Sequence, residues 1–314
     1  MAGSRIVVLG IFVADMAFRA ERPPRIGETI LGSGFLLGPG GKGSNQSVGI
    51  GRAGGDVTFI SRLGDDTFGS MAREIWAQAG VRADVISGPD SKTGAAYIFI
   101  DENSGENAII VYPGAAAEIS TDDIDHWGGL IDDAAIFMTQ LEQPVDAAVH
   151  ALRRAHASGV RTILNPAPAT NLPDEIWPLC DVVTPNETEA EELTGIKVAS
   201  IDDARKAADR LCAMGVRTAL ITLGETGALL HGEGASELIP TICHAPVVDT
   251  TGAGDAFNAG VAVALAEGKS LGQAAVFGAA TAGLSVTRPG TAQSMPDRAD
   301  IEDALRRAGQ GDVI

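Results

Sequence analysis

Asp249-Thr-Thr-Gly-Ala-Gly-Asp255 opens straight into Ala256-Phe-Asn-Ala-Gly-Val-Ala-Val-Ala-Leu265, and the chain is organised around that junction. Two acidic residues bracket a Gly-Ala-Gly run, and a helix of small residues follows. A helix start carries unpaired N–H groups and a partial positive charge, which suits an anion. Glycine lacks a Cβ, so the backbone can approach a ligand closely. A carboxylate placed there either caps the helix or acts as a base beside the bound anion. A capped helix after a glycine turn would explain the motif on its own. The rest of the chain decides between the two.

Upstream of this junction, from Ala134, strand and helix patterns alternate. Strands are predicted at Ala135–Thr139, Arg161–Asn165, Asp181–Thr184 and Arg217–Leu223, with late antiparallel strands at Ala228–His231 and Glu237–Pro240. A helix reaching Ser158 and helices at Glu187–Thr194 and Asp202–Met214 lie between them. Further helices start near Ala253, Leu271 and Asp297. Alternation of this kind implies a mainly parallel sheet covered by helices on both faces, a doubly wound α/β fold. Near the amino terminus, Arg5-Ile-Val-Val-Leu-Gly-Ile-Phe12 reads as a central strand. Ser44 is expected to cap a helix to about Ala53, followed by a strand at Val57–Leu63 and an amphipathic helix at Thr67–Ala79.

Two stretches break the pattern. Arg19 to Gly41 holds Pro23, Pro24, Pro39 and five glycines from Gly27 to Gly40, with strand-like pieces at Glu28–Leu31 and Gly34–Leu37. Asp84 to Pro113 holds three strand-like runs, Asp84–Ser87, Ala95–Asp101 and Asn107–Tyr112, without a crossover helix. Together they are expected to build a small sheet standing off a single domain of residues 1–314, from segments about 16–40 and 92–113.

Composition narrows the partners. The chain has 314 residues, 45% hydrophobic, with 23 Lys plus Arg against 41 Asp plus Glu and a formal charge of −18. Nucleic acid and anionic membrane both need a basic footprint, so neither is expected as a partner. Cys180, Cys212 and Cys243 lie about thirty apart and form neither a disulfide framework nor a metal cluster. His126, His150, His156, His231 and His244 show no ligand spacing, and Trp76, Trp127 and Trp177 read as packing. No apolar run reaches membrane-spanning length and no signal peptide opens the chain, so a cytoplasmic protein is expected.

Two phosphate motifs fail. Gly49-Ile-Gly51-Arg-Ala-Gly54 matches the dinucleotide pattern, but it ends a helix and precedes a strand, the reverse of what that fingerprint needs. This disfavours a dinucleotide-dependent oxidoreductase. In a P-loop reading of Gly41-Lys42-Gly43, Leu36 stands where the first glycine belongs and Gly43 where Ser or Thr belongs. What remains is Gly40-Gly-Lys-Gly-Ser-Asn45, a backbone able to close on a ligand, with donors at Lys42 and Asn45.

Taken with the opening stretch, that segment resembles the paired signatures of the ribokinase family, the PfkB-type carbohydrate kinases. Arg62-Leu-Gly-Asp-Asp66, Leu141-Glu142, Asn165-Pro-Ala-Pro168, Thr184-Pro-Asn-Glu-Thr-Glu189, Ile221-Thr-Leu-Gly224 and Val286-Thr-Arg-Pro-Gly290 match further family segments in order, over nearly the whole chain. The resemblance implies ATP-dependent phosphorylation of the primary hydroxyl of a small sugar, ribose first. Asp255 would be the base, and the backbone of Gly252, Ala253 and Gly254 the anion hole. Asp15, Gly41, Lys42, Asn45 and Glu142, with Asp255, would bind the sugar. Asn186, Thr222 and Gly224 would line the nucleotide site, and Asn186 and Glu189 would hold Mg²⁺ through water. Asp249, Thr251, Ser285, Arg288, Gly290 and Ser294 would surround a monovalent cation such as K⁺. The small sheet would act as a lid and pair subunits into a homodimer.

Two positions depart from the family pattern. Val13 stands where ribokinases usually have Asn, removing a hydroxyl contact worth roughly 1 kcal/mol. Ala116 replaces an Asn that the family often carries. A 2-deoxypentose, another sugar or a nucleoside therefore stands beside ribose as acceptor. A non-catalytic sugar-binding regulator is the reading from a different class; the intact Asp255, Asn186 and Glu189 speak against it.

Overall fold

The structure is a computed structural model that describes residues 4–88, 90–242 and 245–314; Cys243 and His244 lie outside the described residues. In chain order the strands are β1 (Ile6–Leu9), β2 (Val13–Ala20), β3 (Gly34–Gly40), β4 (Val57–Arg62), β5 (Arg82–Ile86), β6 (Thr93–Asp101), β7 (Asn107–Gly114), β8 (Ile136–Thr139), β9 (Arg161–Leu164), β10 (Val182–Val183), β11 (Thr218–Thr222), β12 (Ala228–Gly232) and β13 (Ala235–Ile239). The helices are α1 (Lys42–Arg52), α2 (Thr67–Gln78), α3 (Thr121–His126), α4 (Gly128–Asp132), α5 (Val145–Ala157), α6 (Glu187–Thr194), α7 (Ile201–Met214), α8 (Ala253–Ala266), α9 (Leu271–Ser285) and α10 (Arg298–Arg307).

Nine strands form the main sheet in the order β13-β12-β11-β10-β9-β8-β1-β4-β5. All its pairings from β11 to β5 are parallel, and β12 and β13 return antiparallel, as expected. Alternate strand residues point to opposite faces. Ile6, Val8, Phe59 and Met138 therefore pack under α1, α2, α8, α9 and α10. Val7, Leu9, Ile60 and Phe137 pack under α3 to α7. Trp76 shows how tightly the first layer is set. Its ring lies 4.9 Å from Phe59 and 5.7 Å from Phe12, and its Nε1 donates to Ser44 Oγ at 2.9 Å. Removing such a side chain costs about 3–5 kcal/mol.

β1 is flanked by β4 on one side and β8 on the other, so the winding reverses there. Ligands of doubly wound sheets sit in the crevice beyond the carboxyl ends of strands at such a reversal. Every strand-end loop used below opens on that edge.

The remaining four strands form a separate sheet, β3-β2-β6-β7. Two expectations need correcting. Asp84–Ser87 does not join the small sheet: β5 pairs in parallel with β4 at the edge of the main one. Glu28–Leu31 is not a strand; it is irregular backbone following the turn at Ile26–Gly27 and is braced by the Arg22–Glu28 ion pair at 2.6 Å. In its place β2, from Val13, supplies an inner strand, parallel to β6 and antiparallel to β3. Trp127 and Trp177 are buried like Trp76. His150 pairs with Asp125 and His231 with Asp209. No helix of the described residues is long and apolar enough to cross a membrane.

Candidate active site

Among the described α-helices, only α1 and α8 are entered through a glycine at positive φ, Gly41 at 89° and Gly252 at 77°. Neither start has a side-chain cap. Helix α1 begins at Lys42 rather than at Ser44, because Gly41 makes the turn that a capping hydroxyl would otherwise support. A Cβ on Gly41 would collide with the Ile11 carbonyl, and one on Gly40 with the Asp15 carboxylate. Both glycines are therefore required where the small sheet joins α1.

The two helix starts meet. Asn45 Nδ2 donates to Asp255 Oδ2 at 3.0 Å, and Gln46 Nε2 donates to Oδ1 at 3.0 Å. The Lys42 N–H donates to Glu142 Oε2 at 2.7 Å. Asp255 is 7% exposed and borders a cavity of about 160 Å³ lined also by Lys42, Asn186, Glu189, Thr222, Gly252 and Gly254. It thus faces neither packed apolar interior nor open solvent. A second pocket of about 380 Å³ shares the wall formed by Asn186, Thr222, Thr250, Ala253 and Gly254, and runs on past Gly224 and Val247 to Ala279.

At the start of α8 the Ala253 N–H is drawn to the Thr250 carbonyl at 3.2 Å. The N–H groups of Gly252, Gly254 and Asp255 make no hydrogen bond among the described residues. An anion arriving there would meet Gly252 and Gly254 first, with Ala253 joining if its turn relaxes.

Burial sets the electrostatics. It pushes the Asp15 carboxyl up to about 6. It raises Glu142 to about 7 against the pull of Lys42 and its N–H. Asp255 is raised too, mainly by burial, while Lys42, Asn45 and Gln46 oppose the shift. Burial works against the Lys42 charge as well, but Asp255, Glu142 and Glu189 together hold the ammonium above its ordinary value. A base needs a pKa near the working pH, and a raised Asp meets that need.

Asn186 and Glu189 close on each other as a capping box. Asn186 Oδ1 accepts from the Glu189 N–H at 2.8 Å, and Glu189 Oε2 accepts from the Asn186 N–H at 2.9 Å. Glu189 Oε1 is left over on the cavity wall. Among the described residues no cluster of three His, Cys, Asp or Glu could grip a metal. One carboxylate oxygen on the wall of that cavity fits an ion such as Mg²⁺, which keeps most of its waters and needs few protein ligands.

Asp249 ties the proposed cation loops together, accepting from the Thr251 N–H at 2.9 Å and the Gly290 N–H at 2.9 Å. The Ser285 carbonyl accepts from the Arg288 N–H, and Ser294 Oγ donates to the Thr291 carbonyl. The six residues therefore gather around two neighbouring loops, with the Ser285 carbonyl already engaged.

Three buried amides at this site went unread in the sequence: Gln46, Gln140 and Asn165. Gln140 and Asn165 directly follow β8 and β9, so a polar residue closing an apolar strand was the available signal.

A profile of the pfkB family carbohydrate kinases matches residues 4–298. The chain belongs to that family. It is 38% identical over 304 residues to the ribokinase of Haemophilus influenzae, covering 96% of this chain and 99% of that one. It is 32% identical over 302 residues to the deoxyribokinase of Salmonella typhi, covering 96% and 98%. The structure of Arabidopsis thaliana ribokinase complexed with ribose and ATP aligns with a TM-score of 0.91 at 34% identity, covering 98% and 99%.

Proposed function

We propose that this carbohydrate kinase transfers the γ-phosphoryl group of ATP to the primary hydroxyl of ribose, giving ribose 5-phosphate and ADP. The observation that carries the reading is the Asp255 carboxylate, buried at an uncapped helix start beside Lys42, where a small cavity meets a larger one. The sugar binds against Asp15, Gly41, Lys42, Asn45 and Glu142, and the small cavity, lined by Lys42, Asp255 and the start of α8, receives the transferring phosphoryl group. Carboxylates and amides suit that work, since each binds two hydroxyls and discriminates against a sugar lacking one. ATP lies in the larger pocket along Asn186, Thr222 and Gly224.

As the sugar oxygen bonds to phosphorus, its proton passes to Asp255 and the bond to the β-phosphate oxygen breaks. The N–H groups at the start of α8 stabilise the charge that gathers on the transferring group. Mg²⁺, held through water by Glu189 and Asn186, would neutralise phosphate charge. K⁺ at the loops joined by Asp249 would steady the Gly252 turn, which packs on Thr291.

The small sheet is read as a lid, because closure excludes water that would otherwise accept the phosphoryl group. Its register puts Asp15 on one face, while Phe18, Phe35, Tyr97 and Ile110 lie on the other. Phe35, Ile110 and Tyr112 are exposed there, which supports pairing with a second copy in a homodimer. Sedimentation at micromolar concentration tests that pairing, and a monomer would contradict it. The need for ATP as donor supports a cytoplasmic location.

Val13 favours a second acceptor, a 2-deoxypentose. It is buried two positions before Asp15 and presents methyl groups, not an amide, on the same face of β2. ADP release measured over ribose, 2-deoxyribose, fructose, aldonates and nucleosides, with and without K⁺, separates the readings. Ribose is expected to lead. Turnover of 2-deoxyribose above ribose would install the second reading, and no ADP release with any acceptor would leave only a sugar-binding regulator.

A further inference from the structure

Behind Asp255 lies a chain of buried amides, of which Asn165 borders the small cavity and Gln46 and Gln140 do not. Gln46 is wholly buried on α1, and its Nε2 divides two protons between Asp255 Oδ1 at 3.0 Å and Asn165 Oδ1 at 3.1 Å. Its Oε1 accepts from Gln140 Nε2 at 2.6 Å. Gln140 is wholly buried too, its amide oxygen wedged between Gly10 and Gly43, where a Cβ on either would come within 2.6 or 2.8 Å. Asn165 is held in turn, donating to the Thr184 carbonyl at 3.0 Å.

These bonds leave Gln46 and Asn165 one orientation each, while Gln140 Oε1 is buried without a partner among the described residues. With its oxygen taken by Gln140, Gln46 can present only its NH₂ end to the carboxylate. Oδ1 of Asp255 is engaged by the wholly buried Gln46, and Oδ2 accepts from Asn45.

We infer that Gln46, locked by Gln140, is a positioning residue for the reaction: it fixes the plane of the Asp255 carboxylate so that Oδ2 meets the acceptor hydroxyl. The inference rests on Asp255 being the base. An amide is the group this position needs. It donates to a carboxylate without adding charge, whereas an Arg or Lys would hold the anion too firmly to accept a proton, and an acid would compete for it.

The charged groups facing Asp255 are Lys42 from α1, Glu142 from the end of β8 and Glu189 from α6. The ends of β9 and β10 offer only the neutral Asn165 and Thr184. Loss of the Gln46 donor therefore leaves Lys42 and Asn45 alone to support the anion.

Gln46→Met keeps the shape and removes both donors. It is expected to lower kcat roughly 10- to 100-fold, because a carboxylate free to rotate spends little time aimed at the hydroxyl. The calorimetric Kd for the sugar should stay within about threefold, and the acidic limb of the kcat profile should move to higher pH. Gln46→Glu should move that limb further, since two adjacent carboxyls share a proton. Gln140→Met should act in the same direction as Gln46→Met but more weakly, and the double variant should be no worse than Gln46→Met alone.

Asp255→Asn is run beside them. If it is inactive while Gln46→Met keeps the parental kcat and pH limb, Gln46 only packs and the inference is overturned. If Gln46→Met does not fold, parental kcat and limb in Gln140→Met overturn it equally. If Asp255→Asn itself turns over normally, the base assignment has failed, and the positioning role with it.

Discussion

Three carboxylates, Asp255, Glu142 and Glu189, surround the ammonium of Lys42, and a fourth, Asp15, lies beyond Glu142. That surplus of negative charge makes the empty site a burden on stability at neutral pH. Glu142 titrates near 4.5 when unfolded and is pushed up to about 7 in the fold, chiefly by burial. The folded state then holds a proton that the unfolded state has already lost, so stability falls as pH rises between those values and the deficit persists above them. Glu142→Gln removes the titration and still offers an oxygen to the Lys42 N–H. The variant is predicted to be more stable than the parent at pH 8, by up to about 3 kcal/mol, and equal to it near pH 4. Thermal melts at both pH values check this; a lower midpoint at pH 8 would show that Glu142 is held as a stabilising anion instead. Sugar affinity should fall in the same variant, the usual trade between site and stability.

Among the elements, α8 and α9 carry a sharp packing constraint at their crossing. A Cβ on Gly260 would stand 2.5 Å from Thr281 Oγ1 and 2.8 Å from the Gly278 Cα, and the hydroxyl is itself bonded to the Phe277 carbonyl at 2.8 Å. Neither neighbour can retreat. Gly260→Ala, which in an open helix would gain about 1 kcal/mol, is therefore predicted to cost about 1–3 kcal/mol here. Urea unfolding decides the sign, and stabilisation would mean that the two helices sit farther apart.

The same scale explains what could be read from sequence. β1, β8 and β11 are buried on both faces, so they stood out as continuous apolar runs. α6 and α7 were framed by Asn186 and Ser200 caps and by Gly195 and Gly215. β2 was hidden because Val-Ala-Asp-Met-Ala-Phe-Arg-Ala mixes a site residue, Asp15, with small and charged ones. β5 was assigned to the wrong sheet because an edge strand, half-exposed, resembles the strands of a small sheet. The charged and glycine-rich parts of the site carry motifs that sequence displays. The amides of Gln46 and Gln140 do not, and the motif holding Asn165 does not show its role: their meaning lies in contacts between residues up to 209 positions apart.

On the scale of the whole molecule, a net charge of −18 encloses a site that must receive a nucleotide triphosphate. The fold reconciles the two by local means, bringing the starts of α1 and α8 and the Lys42 ammonium to the reversal point of the sheet. The small sheet, rooted at Gly40 and Gly41, stands over that point. All of this is arranged around one carboxylate, so replacing Asp255 with Asn tests it most directly. Sugar binding by calorimetry and phosphoryl transfer by ADP release would be measured on the same sample. The base assignment predicts an Asp255→Asn protein that binds ribose within a few-fold of the parent yet transfers phosphate at least about 100-fold more slowly. Transfer at the parental rate would contradict it.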